Sequence, residues 1–174
     1  MIPEKIDINL QSEIWAKYCP EYTGLMESCF EQIIKLVPEA EFFKDIPHLE
    51  LSILLTDDQN IRRLNKEYRG KDKATNVLSF PSLSYDDIQN YQRPDCEMPE
   101  YPVALGDIIF AFETITREAS AQGKIFSDHF CHLFIHGILH LLGYGHAGDI
   151  EAQAMENMEK KLLLKLSIDD PYQD

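Results

Sequence analysis

Residues 136–146 read His-Gly-Ile-Leu-His-Leu-Leu-Gly-Tyr-Gly-His, and the way the chain must fold to use this stretch decides the reading of the whole sequence. Two histidines four apart on a helix are offset by about 40° and one turn, so His136 and His140 can reach one point. Gly143 then supplies the left-handed conformation that ends a helix and turns the chain sharply. Three residues later, His146 can return to the same point. Three neutral nitrogen ligands with the fourth tetrahedral position left to water is the arrangement of a catalytic zinc site rather than a structural one. The competing reading is a set of satisfied core histidines on a buried helix. A single histidine, or the pair alone, favours that reading; the third histidine after a helix-ending glycine reverses it. One Zn2+ per chain is expected, although three imidazoles also suit other divalent transition metals. Five of the six histidines fall between positions 129 and 146. For His129 and His132, on much of the same helical face, packing or support of the ligands is favoured over a second metal site.

The spacing HxxxHxxGxxH is that of the metzincin proteases with one essential difference. Their second position is a glutamate that acts as general base, and here it is Gly137. Losing that base removes a contribution often worth about 10²–10⁴ in rate. An all-neutral ligand set also leaves the ion its full charge, which suits an anionic substrate such as a phosphodiester. A zincin-like metalloprotease is therefore the weaker reading.

Outward from this stretch, the chain alternates elements of both types without a strict strand–helix repeat. Ser127 is the expected N-cap of the histidine-bearing helix, which runs to about Leu142. A final amphipathic helix is expected over Glu151–Leu166, followed by an acidic tail. Upstream, strands are expected at Ile6–Leu10, His48–Thr56, Val77–Phe80 (closed by Pro81) and Gly106–Ala111, the last leading into a helix to about Gln122. Helical spacing of Leu25, Cys29, Ile33 and Leu36 marks a helix over Tyr22–Val37. Asp57 and Asp58 can cap another to about Tyr68, burying Ile61, Leu64 and Tyr68. These elements predict an α+β fold: a single small domain over residues 1–174, with a short mixed β-sheet packed with helices. Between Pro81 and Val103 lies a connection with five acids and four prolines, the length of a functional lid or a tolerated insertion.

Composition narrows the setting. The chain has 174 residues, 44% hydrophobic and 26% charged, which suits one soluble globular domain. No apolar run reaches the length of a membrane span. The N-terminal MIPEKIDINL lacks the basic region and apolar core of a secretory leader, and the four cysteines form no CxxC pair, so a reducing, cytoplasmic setting is expected. A net charge of −14 repels nucleic acid from the molecule as a whole. Against that background, Arg62, Arg63, Lys66, Arg69, Lys71 and Lys73 stand out, opposed only by Glu67 and Asp72. Positions 62–73 therefore carry +4 (six basic, two acidic), leaving −18 for the remainder. Most charge runs are solvated helix faces; this one is read as a local phosphate site. Asp107 could add a carboxylate to the metal site, but a strand-end or turn role is the favoured reading.

HGILHLLGYGH resembles the signature HGxLHLxGYDH of the YbeY family of ribosome-associated, metal-dependent endoribonucleases. Tyr68–Pro81, reading YRGKDKATNVLSFP, is similar to the family's second block, YRGKDKPTNVLSFP, and Gly106-Asp107-Ile108 to its GDI-type strand. The blocks run in the family's order from about Leu51 onward. The resemblance implies an α+β domain with the metal in an open cleft, and a role in ribosomal RNA processing. That role includes maturation of the small-subunit RNA 3′ end and ribosome quality control, in the cytoplasm. Carried over by position, His136, His140 and His146 would be the zinc ligands. Arg69 would be the functionally important arginine that holds or polarises phosphate. From the basic stripe, Lys71 and Lys73 are expected beside it on the RNA. Partners would be ribosomal RNA, the ribosome and its proteins, not DNA or membrane. Gly145 departs from the family's aspartate, and the Pro81–Val103 connection is longer than usual. The rival from another class is a ribosome-assembly factor in which the metal only orders the histidine turn.

Overall fold

The computed structural model describes residues 6–173, so the first five residues of the N-terminal stretch read above lie outside it. Twelve elements follow in order. They are β1 (Ile6–Leu10), α1 (Ile14–Tyr18), α2 (Tyr22–Leu36), a 3₁₀ segment (Pro38–Lys44), β2 (Leu49–Thr56), α3 (Asp58–Arg69), β3 (Val77–Pro81), α4 (Tyr85–Tyr91), β4 (Val103–Ala111), α5 (Phe112–Ala121), α6 (Phe126–Leu141) and α7 (Asp149–Lys165). The four strands form one mixed sheet in the order β1-β2-β4-β3. β1, β2 and β4 are parallel, and β3 runs antiparallel along β4 as an edge strand. The architecture is the expected α+β layer arrangement.

Alternation along the strands sorts side chains to two faces. Ile108 and Phe110 of β4 face α6, where Phe110 meets Phe130 at 5.0 Å and Phe134 at 6.4 Å. Leu51, Ile53 and Leu55 of β2 join the same core with Met26, Cys29, Phe30 and Ile33 of α2. On the opposite face, Leu78, Ile109 and Ala111 pack under Ile61 and Leu64 of α3. Asp57 caps α3 by accepting from the Asn60 N–H at 2.8 Å, and Gly70 ends the helix with φ of 69°.

Several expectations need correcting. Tyr68 is 63% exposed rather than buried: it sits in the last turn of α3 at the rim of an open groove over the sheet, with its ring edge on Phe80 at 5.6 Å. Ser127 is not the N-cap of α6. Ile125 is, because Phe126 already packs inside the helix between Trp15 and Phe112, at 5.7 and 4.9 Å. The Pro81–Val103 connection contains α4, opened by a reciprocal capping box between Ser84 and Asp87. It docks on the 3₁₀ segment, Tyr91 stacking on Phe42 at 5.1 Å, as a folded insertion. β4 starts at Val103, three residues early, because a bulge opposite Glu50 and Leu51 lets pairing with β2 continue past Gly106. Among the described residues, no helix is long and apolar enough to cross a membrane.

Candidate metal centre

α6 enters the site through unusually close packing. A Cβ added at Gly137 would lie 3.1 Å from two Ile108 carbons and 3.2 Å from Ser79 Oγ. The missing side chain lets the helix lie directly on β3 and β4. At the far end, Gly106 (φ 151°) allows the same intimacy: a Cβ there would stand 2.5 Å from the Phe80 carbonyl oxygen and 2.8 Å from Leu141 Cδ2. Gly143 ends α6 with φ of 97°, while the Tyr144 N–H closes back on the Leu139 carbonyl at 3.0 Å. This turn brings His146 back over His136, rings stacked at 5.2 Å, and to 5.0 Å from His140.

The proton assignments within the cluster follow from its acceptors. His140 Nδ1 lies 3.0 Å from the Tyr144 carbonyl, which can only accept, so this nitrogen carries the proton. His136 Nδ1 lies 2.7 Å from Glu159 Oε1. Burial alone would raise the Glu159 carboxyl, but hydrogen bonds from His132, His136 and Tyr172 outweigh it and hold it at about 2, ionised and accepting. Both Nδ1 atoms are thus committed to acceptors, and the two Nε2 atoms face one another at 3.0 Å. Burial, with repulsion from His136 and His146, pushes the His140 imidazole down to about 4, so it stays neutral. Two imidazole nitrogens at this separation need a shared proton or a cation between them.

The cluster fits a metal ion. With bonds of about 2.0–2.1 Å, two nitrogens 3.0 Å apart subtend roughly 95° at the ion. A ring centroid then stands about 3.2 Å from the ion, so the separations of 4.5, 5.2 and 5.0 Å among His136, His140 and His146 correspond to angles of roughly 90–110°. The same arithmetic excludes the neighbouring rings as co-ligands. His129–His132 at 6.2 Å and His132–His136 at 6.3 Å would need roughly 150–160°. His132, His136 and Glu159 do have ligand atoms within 4.8 Å of one another, but protons already occupy those contacts.

His129 and His132 support the cluster instead. His129 is buried and meets Glu118 at 2.7 Å; both oxygens of the same carboxylate accept from the Asn76 side-chain amide, at 2.9 and 3.0 Å. This ties the YRGKDKATNVLSFP block to the histidine helix. His132 Nε2 reaches Glu159 Oε2 at 2.8 Å. The turn is braced by Tyr144, whose hydroxyl donates to Glu39 Oε2 at 2.9 Å. Sequence reasoning missed Glu39, Glu118, Glu159 and Tyr172. Glu159 alone carried a signal, as a carboxylate on the apolar stripe Met155, Leu162 and Leu163 of α7.

Asp107 does not join the histidines. It projects from the sheet face opposite Ile108, lining a groove with Asp7, Asn9, Ser52, Tyr68 and Phe80. Gly145 leaves open space, its nearest foreign atom being Glu151 Oε2 at 3.5 Å from a built Cβ. The basic stripe divides in two. Arg62 and Lys66 both grip Asp72, at 2.9 and 3.3 Å, and Arg63 grips Glu67 at 3.4 Å. Arg69, Lys71 and Lys73 have no carboxylate partner among the described residues. Arg69 donates to the Ser79 carbonyl on the free edge of β3 at 2.9 Å and lies 5.3 Å over the Phe80 ring.

The model of the family described as endoribonuclease YbeY matches residues 17–167. The chain belongs to the YbeY family. A Paramagnetospirillum magneticum endoribonuclease YbeY is 47% identical over 156 residues, which cover 88% of this chain and 91% of that protein. A Rhodopseudomonas palustris YbeY is 46% identical over 131 residues, 75% of this chain and 73% of the relative. The fold is shared with the solution structure of a Thermotoga maritima protein. That match has a TM-score of 0.54 at 20% identity and covers 97% of this chain and 96% of the other. The two sequence blocks that carry the resemblance to YbeY are the ones that meet in space, β3 lying under α6 at Gly137.

Proposed function

We propose that this chain is a zinc-dependent endoribonuclease that cuts single-stranded ribosomal RNA. Its place is maturation of the small-subunit RNA 3′ end and ribosome quality control in the cytoplasm, with the ribosome and its proteins as partners. The observation that carries the reading is the convergence of His136, His140 and His146, with the Nε2 atoms of the first two facing at 3.0 Å and their Nδ1 atoms held by acceptors. His136, His140 and His146 would hold the ion. When bound, zinc supplies Lewis-acid charge beside a phosphodiester. Relatives named as endoribonucleases support RNA as the substrate.

The protein's own groups supply orientation and charge. Glu159 and the Tyr144 carbonyl fix the rings of His136 and His140 before substrate arrives. Arg69 is held by the Ser79 carbonyl and the Phe80 face, so its remaining N–H groups are pre-aimed for a phosphate oxygen and offset charge that develops there. Lys71 and Lys73 have no carboxylate partner among the described residues and would add positive charge along the RNA. Gly137 disfavours peptide hydrolysis twice over: it lacks the base, and Ile108 and Ser79 occupy the space one would need.

The test is cleavage of a single-stranded ribosomal RNA fragment by zinc-loaded protein, against identically purified His140→Ala. Cleavage lost with the histidine supports the nuclease. Equal or absent cleavage, with ribosome association retained, supports the assembly-factor reading, which the net charge of −14 favours through its weak general affinity for RNA. A 2′,3′-cyclic phosphate product would assign attack to the RNA's own hydroxyl rather than to water.

A further inference from the structure

The residues after α7 carry no part of the sequence signature, yet they reach the back of the histidine cluster. We infer that this segment belongs to the metal centre. Glu159 is a positioning residue that sets the ring of His136, and Tyr172 holds Glu159 in place. The inference rests on the reading of His136, His140 and His146 as a zinc site.

Glu159 is 0% exposed. A carboxylate taken wholly out of water must gather donors or be protonated. It gathers three: His136 Nδ1 at 2.7 Å, His132 Nε2 at 2.8 Å, and the Tyr172 hydroxyl. One oxygen serves His136 alone, while the other is shared by His132 and Tyr172. The carboxylate plane is thereby fixed at both ends. An imidazole on a helix can turn about its own two side-chain torsions, so only a fixed acceptor behind Nδ1 keeps Nε2 aimed at the facing Nε2 of His140.

Tyr172 arrives there by a defined path. The Ile168 N–H bonds back to the Leu163 carbonyl at 2.9 Å, which reverses the chain after the helix. The Tyr172 N–H donates to Asp170 Oδ1 at 2.8 Å. Lys160, one residue after Glu159, lies 3.8 Å from Asp170 and 5.6 Å over the Tyr172 ring. The ring packs edge-on against His132 at 5.6 Å. Tyr172 is 39% exposed, so its hydroxyl closes the Glu159 chamber from the solvent side. With that hydroxyl absent, one carboxylate oxygen keeps only His132, and water can enter beside it.

Zinc affinity measured by competition with a chromophoric chelator tests this on the full chain, using unchanged protein, Glu159→Gln, Tyr172→Phe, His140→Ala and, as a remote control, Tyr101→Phe. Loss of such an outer partner is expected to weaken metal binding about 10–100-fold. Glu159→Gln should show that loss, Tyr172→Phe a few-fold loss in the same direction, and Tyr101→Phe none. Cobalt(II) replaces zinc as a spectroscopic probe, and its visible absorption should shift in Glu159→Gln and Tyr172→Phe. Circular dichroism and urea midpoints of metal-free Tyr172→Phe should match the unchanged protein, which separates positioning from folding even if Glu159→Gln folds poorly. Zinc affinity and cobalt spectra equal to the unchanged protein in both variants, with binding lost in His140→Ala, would overturn the inference while leaving the zinc site standing. Unchanged protein that binds zinc no better than His140→Ala would overturn the site itself.

Discussion

Replacing Gly137 by glutamate restores, on paper, the general base of a zincin protease, and the structure predicts that it ruins the fold instead. Alanine already puts a Cβ 3.1 Å from two Ile108 atoms and 3.2 Å from Ser79 Oγ. Overpacking of that kind costs about 1–3 kcal/mol. Alanine recovers about 1 kcal/mol of helix propensity over glycine, so Gly137→Ala should be destabilised by about 0–2 kcal/mol. Glutamate keeps the clash and drives a longer, charged side chain into the contact that Ile108 and Ser79 already fill. An unpaired buried charge adds several kcal/mol, so the sum approaches the ~5–15 kcal/mol that holds a domain together. Urea unfolding followed by circular dichroism, on metal-free protein, measures both variants. Gly137→Glu with a midpoint near that of the unchanged protein would refute the argument, as would peptide hydrolysis by that variant.

Three further outcomes follow from the same geometry. Metal-free protein should lose stability on acidification in two stages. His140 is held at about 4 against an ordinary 6.5, so the unfolded chain takes up its proton first and stability falls from pH 6.5 towards 4. Glu159 sits at about 2 against 4.5, and its contribution, present above 4.5, is lost from there towards 2. Urea midpoints measured in chelator across this range should show both stages, and His140→Gln should flatten the first. Replacing Arg69, Lys71 and Lys73 together by alanine should lower the salt dependence of single-stranded RNA binding by about two units of slope, at about 0.7 per phosphate contact. Arg62→Ala should barely change it, because that side chain is committed to Asp72; equal effects would count against the division of the basic stripe. Tyr144→Phe should cost about 1 kcal/mol through the lost Glu39 hydrogen bond and weaken zinc binding, since the same residue's carbonyl orients His140.

The strands, the longer helices and the histidine cluster were legible because each rests on local pattern. Period and capping fixed α3, and ligand spacing with a turn glycine fixed His136, His140 and His146. What stayed hidden depends on contacts between distant positions. Glu39 reaches Tyr144 across 105 residues, and Glu118 joins Asn76 across 42; no window of sequence contains both partners. Tyr68 escapes the pattern because helical spacing says which stripe a residue occupies but not whether anything packs over it; here it borders an open groove. The basic stripe was read as one unit because spacing alone does not reveal that Asp72 folds back onto Arg62 and Lys66.

The hydrogen bond from Arg69 to the Ser79 carbonyl has a consequence beyond RNA. β3 is the sheet's outer strand beside the histidines, and a bare strand there invites an extended polypeptide to zip onto it by main-chain pairing. Arg69 occupies a main-chain acceptor such a peptide would use, and Pro81 offers no N–H at the strand's end. The guanidinium proposed to meet phosphate therefore also covers part of the sheet edge, which disfavours pairing by another extended chain.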